Sequence, residues 1–121
     1  MKYAFPSDFE NIKPAHKKIL VESEKILGKK GISGLELKDI AKILKVAPST
    51  INYYYTSGEE LIFDTVLYSY KNYVDTTYKQ CEKITDPEKS LKIWIENTFE
   101  WTKSLPGIGV ILEFPRQVIK S

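Results

Sequence analysis

The chain of 121 residues holds one Cys, one His and one Met, and each scarcity closes a class of function. Cys81 has no partner within the chain, so a disulfide scaffold is excluded. One His and one Cys also leave a His/Cys metal site without ligands, because tetrahedral sites draw on several such groups. No metal and no cofactor is expected. Long apolar runs are missing as well: Ile108 to Leu112 is far shorter than the roughly 20 residues that a bilayer-spanning helix needs. The opening M-K-Y-A-F-P-S-D-F-E lacks the apolar stretch of a secretory signal, so a cytoplasmic location without membrane association is the expectation. No Ser/His/Asp set, glycine-rich phosphate loop or paired-carboxylate pattern stands in the chain, and an enzyme is not expected.

What is there is ordinary globular composition, 42% hydrophobic and 28% charged, in a length that suits one domain or two small helical lobes sharing a boundary. The net charge of +2 is unevenly spread. Residues 1–58 carry ten Lys against six Asp plus Glu, a balance of +4, whereas residues 59–121 carry eight basic and ten acidic residues, a balance of −2. A basic half points mildly to a polyanionic partner. Charge alone, however, is better explained by Lys kept on helix surfaces for solubility.

Apolar residues recur at three and four rather than at two, which predicts an all-α fold. Residues 1–13, with Pro6 and Ser7-Asp8, read as an N-terminal arm. Pro14 opens a first helix whose inner face is Ala15, Ile19, Leu20, Ser23, Ile26 and Leu27, stopped by Gly31 after Lys29-Lys30. A short second helix, 36–44, turns Leu37, Ile40, Ala41 and Leu44 inward. A third is opened by Pro48 and runs to about Tyr54. Ser57-Gly58-Glu59-Glu60 reads as a capping box for a long fourth helix to about Glu82. That helix shows one stripe of Phe63, Leu67, Tyr70, Val74, Tyr78 and Cys81 and another of Ile62, Val66 and Tyr73. Asp86-Pro87 opens a fifth helix, with Leu91, Trp94, Ile95, Thr98, Phe99 and Leu105 along one face and Pro106-Gly107 at its end. Ile108 to Ser121 allows one short helix and a tail.

The informative stretch is Leu37 to Tyr55. A helix-turn-helix sets two helices at a steep angle across a short turn so that the second enters a major groove. It needs a small residue at the close approach, apolar flanks, and an apolar anchor in the second helix. Ala41 is the small residue, Ile40 and Leu44 flank it, Val46 lies in the turn, and Ile51 is the anchor.

From Lys18 to Leu61 the chain resembles the TetR family of transcriptional regulators. The resemblance rests on I-L-V-E-S-E-K-I-L-G-K-K-G and on D-I-A-K-I-L-K-V-A-P-S-T-I-N-Y-Y-Y-T-S-G-E-E-L. Ile19-Leu20, Gly31, Ile40-Ala41, Tyr54-Tyr55 and Glu59-Glu60-Leu61 match the family pattern. Four positions depart from it. Lys45 stands where the turn usually has Gly, and Ala47 where the recognition helix usually has a Ser or Thr cap. Asn52 replaces the first Tyr of the exit motif, and Gly58 replaces the Lys at the start of the fourth helix.

The resemblance implies a DNA-binding domain over 14–60 and a connector helix with a truncated regulatory and dimerisation region over 61–121. It implies that Pro48, Ser49, Thr50, Asn52, Tyr53 and Tyr54 face the duplex, with Lys45 and the backbone N–H at Gly58 as further phosphate contacts. Ser49 and Thr50 are short enough for close approach, and the Thr methyl suits a thymine methyl. Asn52 suits phosphate better than adenine. No Arg lies in this segment, so bidentate guanine readout from the recognition helix is not available. Tyr55 reads as a packing residue and His16 as a solvent-facing or packing one, and Tyr54 is divided between packing and phosphate. Tyr70, Trp94 and Phe99 are candidates for an effector pocket, although aromatic residues at helical spacing are more often core. The partners expected are a near-palindromic double-stranded operator, a second copy of the chain, and a small-molecule effector that releases a repressor. The competing expectations are a helix-turn-helix fold that serves protein interaction without DNA, favoured by Ala47, Asn52 and Gly58, and a ligand-binding helical protein, favoured by the aromatic content of residues 63–101.

Overall fold

Caps and breakers divide the chain into its elements. The computed structural model describes residues 11–31 and 35–105. The arm expected over 1–13 falls mostly outside these residues, and the helix and tail expected over 108–121 fall wholly outside. Five helices and no strand occur among the described residues: α1 Pro14–Lys30, α2 Leu37–Leu44, α3 Pro48–Asn52, α4 Gly58–Cys81 and α5 Pro87–Ser104. None of them is long and apolar enough to cross a membrane.

The termini follow from local chemistry. Pro14 occupies the start of α1, where a missing N–H is no loss, and Lys29 and Lys30 fill the last turn, where the helix dipole favours cations. Gly31 then takes φ 78°, and its N–H closes on Leu27 O at 2.9 Å. Asp86 caps α5 by accepting from the Glu88 N–H at 3.0 Å, just ahead of Pro87. At the start of α4, Ser57 Oγ accepts from the Glu60 N–H at 3.2 Å, and the Glu60 carboxylate accepts from Thr56 Oγ1 at 2.7 Å.

α1 packs on α2 and α4, α2 on α3, and α5 on α4. The core gathers Ile19, Leu20 and Leu27 from α1, Ile40 and Ala41 from α2, Ile51 from α3 and Leu61 and Val66 from α4. α4 therefore belongs to two bodies of packing: its first turns close the head, and its later turns carry α5.

Three inner faces differ from the periodicity. Ala15 is exposed, since on the first turn of α1 it is His16 that turns inward, onto Tyr54 and Tyr55. On α4 the buried residues are Leu61, Asp64, Thr65, Val66, Tyr68, Ser69 and Thr77, while Tyr70 and Tyr78 of the expected stripe are exposed. The polar members sit inside because their hydrogen bonds are met within the fold. Thr65 and Thr77 hydroxyls turn back to Leu61 O (2.7 Å) and Tyr73 O (2.8 Å), and Ser69 Oγ accepts from Trp101 Nε1 at 2.9 Å. On α5 the expected face divides. Leu91, Ile95 and Phe99 point to solvent, while half-buried Trp94, Asn97 and Trp101 meet α4.

Candidate nucleic-acid interface

The turn between α2 and α3 is built without glycine. Lys45 adopts the left-handed conformation (φ 57°, ψ 45°), the only non-glycine residue with positive φ among those described. Its N–H bonds Lys42 O at 3.2 Å and the Val46 N–H bonds Ala41 O at 3.0 Å, so the last carbonyls of α2 are met by the motif that glycine ordinarily completes. A side chain in this conformation costs about 1 kcal/mol relative to Gly. Lys45 is exposed at the corner from which α3 departs.

Ala47 is extended and makes no side-chain cap, so Pro48 alone, with its preset φ, starts α3. Ile51 is fully buried and ties the short helix to the core. Pro48, Ser49, Thr50 and Asn52 are all exposed around that anchor, and Tyr53 is 78% exposed. α3 ends at Asn52, two residues before its expected end. The Tyr54 N–H bonds Ile51 O at 2.9 Å and the Tyr55 N–H bonds the same oxygen at 3.0 Å, so the chain tightens and drops Tyr55 into the core. Tyr53 stays outside, its ring edge on to Tyr54 at 5.0 Å. Tyr54 is half-buried. Lys45, Pro48, Ser49, Thr50, Asn52 and Tyr53 thus form an exposed tract around buried Ile51, with half-buried Tyr54 at its end.

Gly58 lies at the head of α4, half-buried against the backbone at Leu35 and Glu36; an added Cβ would stand 3.3 Å from Leu35 O. Glycine therefore lets α4 start close to the entrance of α2. Ser57 already occupies the Glu60 N–H, and Glu59 and Glu60 sit in the first turn, where their charge competes with an incoming phosphate. Whatever anion contact Gly58 makes is through backbone N–H groups alone.

Behind the exit lies a cluster of Tyr55, expected as a packing residue, His16, expected as solvent-facing or packing, and Asp64, for which no role is expected from the sequence. Tyr55 OH donates to Asp64 Oδ2 of α4 and lies 2.6 Å from His16 Nε2 of α1. His16 Nε2 is 3.8 Å from Asp64 Oδ2, and the imidazole stacks on the Tyr54 ring at 4.8 Å. Burial lowers the His16 pKa from its ordinary 6.5, opposed by the Asp64 charge. Burial likewise raises Asp64, opposed by the Tyr55 hydroxyl and His16, while the Glu60 charge adds to the rise. The signal available in advance was Asp64 itself, a carboxylate three residues after Leu61 on the inner face of a helix.

A cleft of about 520 Å³ opens between α1, α4 and α5, lined among others by Glu24, Asn72, Tyr73, Asn97 and Trp101. Tyr73 and Trp101 stack at 5.0 Å, and Asn97 Nδ2 donates to Thr77 Oγ1 (2.7 Å) and Gln80 Oε1 (2.8 Å). The three aromatic residues expected at a pocket stand apart from this lining. Tyr70 is exposed and edges on to Tyr73 and Trp101, Trp94 edges on to Tyr73 at 6.4 Å, and Phe99 is 63% exposed.

Residues 19–65 match the family model described as bacterial regulatory proteins, tetR family. No match was found among curated proteins. Among solved structures, the chain is similar to the fatty acid degradation regulator FadR from Bacillus halodurans, with a TM-score of 0.64 and 24% sequence identity. The likeness covers 75% of this chain and 48% of that protein, so this chain spans about half its length. At that identity the likeness speaks for the fold.

Proposed function

We propose that the chain is a sequence-specific, DNA-binding transcriptional regulator whose α3 enters the major groove. The observation that carries this reading is the exposed tract from Lys45 to Tyr54, held by fully buried Ile51 within a segment that matches the tetR family model. Residues 14–60 form the DNA-binding domain, and residues 61–121 supply the connector and a regulatory region. Ser49 and Thr50 reach base edges, where a short side chain lets the helix backbone approach closely. Lys45, Asn52, Tyr53 and Tyr54 hold phosphates and set the register, as does the backbone N–H at Gly58.

In the finer form of the proposal, two copies place their α3 helices in successive major grooves of a near-palindrome, about 34–36 Å apart. The chain acts as a repressor, and a small-molecule effector releases it. The cleft between α1, α4 and α5 is the place for that effector, because α4 touches the head at one end and lines the cleft at the other. An effector there shifts the population of head spacings only by its differential affinity for them.

The test is an anisotropy titration of labelled duplex over a range of salt. The affinity should fall log-linearly with salt, because phosphate contacts release counterions. Thr50→Ala and Tyr53→Ala, both at exposed positions, should leave the thermal transition unchanged and weaken binding about five- to fiftyfold. A folded chain with no salt slope, or two variants that bind as the parent does, contradicts the reading and favours an interaction module.

A further inference from the structure

The cluster of His16, Tyr55 and Asp64 joins three elements at the one point where the recognition helix ends. Tyr55 is the third residue after Asn52, and its N–H shares the Ile51 carbonyl with that of Tyr54. Contacts that hold the Tyr55 side chain therefore act next to the backbone that ends α3. Two contacts meet at the ring's hydroxyl, His16 from α1 and Asp64 from α4. Plain packing would be served as well by apolar groups, without the desolvation that a buried carboxylate incurs.

The donors and acceptors run in one direction. An ionised Asp64 only accepts, so the Tyr55 O–H points to it, and the Tyr55 oxygen is left to accept from His16 Nε2–H. That arrangement places the neutral imidazole with Nδ1 unprotonated, a site for one further proton. The His16 side chain is 22% exposed, which gives that proton a path from solvent. The ionisable groups around it are Asp64 on α4 and Tyr55 and Tyr54 at the exit of α3, with exposed Lys13 just ahead of α1 and exposed Lys17 on α1 itself. Glu60 on α4 acts on Asp64.

We propose that His16, Tyr55 and Asp64 are a proton-linked clamp on the exit of α3, which couples phosphate binding beside Tyr54 to proton uptake at His16. The inference rests on the reading of α3 as the DNA-binding helix. A phosphate at Tyr54 lies next to the stacked imidazole and favours its cationic form, which Asp64 holds in place. By linkage, DNA binding takes up a proton, and affinity rises as the pH falls.

The protein has a single histidine, so its imidazole signal in a proton NMR titration of the full chain belongs to His16 without ambiguity. In the free protein, Asp64→Asn should lower the midpoint of that titration, because the carboxylate that favours the cation is gone. Tyr55→Phe, which keeps the ring and removes the bridging hydroxyl, should also move it. Saturating mixed-sequence duplex at low salt should raise the midpoint in the parent chain. Between pH 8 and pH 6 the parent should gain about two- to fivefold in affinity. His16→Gln, which keeps a donor to Tyr55 but does not titrate, should flatten that profile. A midpoint unmoved in both Asp64→Asn and Tyr55→Phe overturns the clamp whatever the DNA does. A His16→Gln profile as steep as the parent's overturns the coupling. A parent chain that binds no duplex at any pH overturns the DNA-binding reading, and the coupling with it, while the free-protein titration still judges the clamp.

Discussion

The head and the α4–α5 pair are both helical, yet they are held together by different means. In the head, Ile19, Leu20, Leu27, Ile40, Ile51 and Leu61 are almost wholly removed from water, and each comes from an apolar position of an amphipathic pattern. Along α5, by contrast, no residue is buried. It is joined to α4 by Asn97 on Thr77 and Gln80, by Trp101 on Ser69, and by the rings of Tyr73, Trp94 and Trp101, while Leu91, Ile95 and Phe99 face solvent. The difference teaches that an apolar stripe reports a face that avoids water only when its partner lies within the same folded unit.

The largest effect that separates the two regions is expected at Ile51. Ile51→Ala removes a fully buried side chain and should destabilise the fold by about 2–5 kcal/mol in urea unfolding. Leu91→Ala, an equally apolar deletion on exposed α5, should stay within about 0.5 kcal/mol. Similar losses at the two sites would erase the distinction. Next in size is Asn97→Ala, which leaves the Gln80 carbonyl and Thr77 hydroxyl without their amide donor and should cost about 1 kcal/mol. Its loss should loosen amide exchange along α5 and leave α1–α3 protected.

Lys45→Gly sharpens the comparison within the head, because there function and stability point in opposite directions. Relief of the left-handed side chain should raise stability by about 0.5–1 kcal/mol, while loss of the cation should weaken DNA binding and lower the salt slope by about one. Smallest is the pH term. His16, whose folded pKa is lowered, contributes stability that is present above 6.5 and lost as the pH falls through and below that value. Asp64, whose folded pKa is raised, works the other way: its contribution is present below 3.8 and lost as the pH rises through the raised value. Thermal melts of the parent against His16→Gln from pH 8 to pH 5.5 should therefore show the parent losing ground on acidification. Parallel curves would leave His16 without a folding-linked proton.

The helix ends were the most legible part of the chain. Pro14, Gly31, Ser57 and Asp86 each act through their own backbone geometry or a bond to a near neighbour, and local chemistry survives whatever packs around it. The left-handed turn at Lys45 and the missing cap at Ala47 could be read for the same reason. The end of α3 could not, because it is decided by Tyr55 dropping between His16 and Asp64, a meeting of residues 39 and 9 positions apart. The inner face of α4 was misread because Thr65, Ser69 and Thr77 count as polar in any periodic pattern, although their hydroxyls are satisfied where they lie. The exposed tract at α3 was legible as residue types, whereas the cleft and its Tyr73–Trp101 stack depend on how α5 turns about its axis.

The central claim, that the tract from Lys45 to Tyr54 reads a DNA sequence, is tested most directly by selection from a random duplex library at moderate salt. The account predicts an enriched inverted repeat whose half-sites lie about one helical turn apart. A folded chain that enriches no sequence would contradict it.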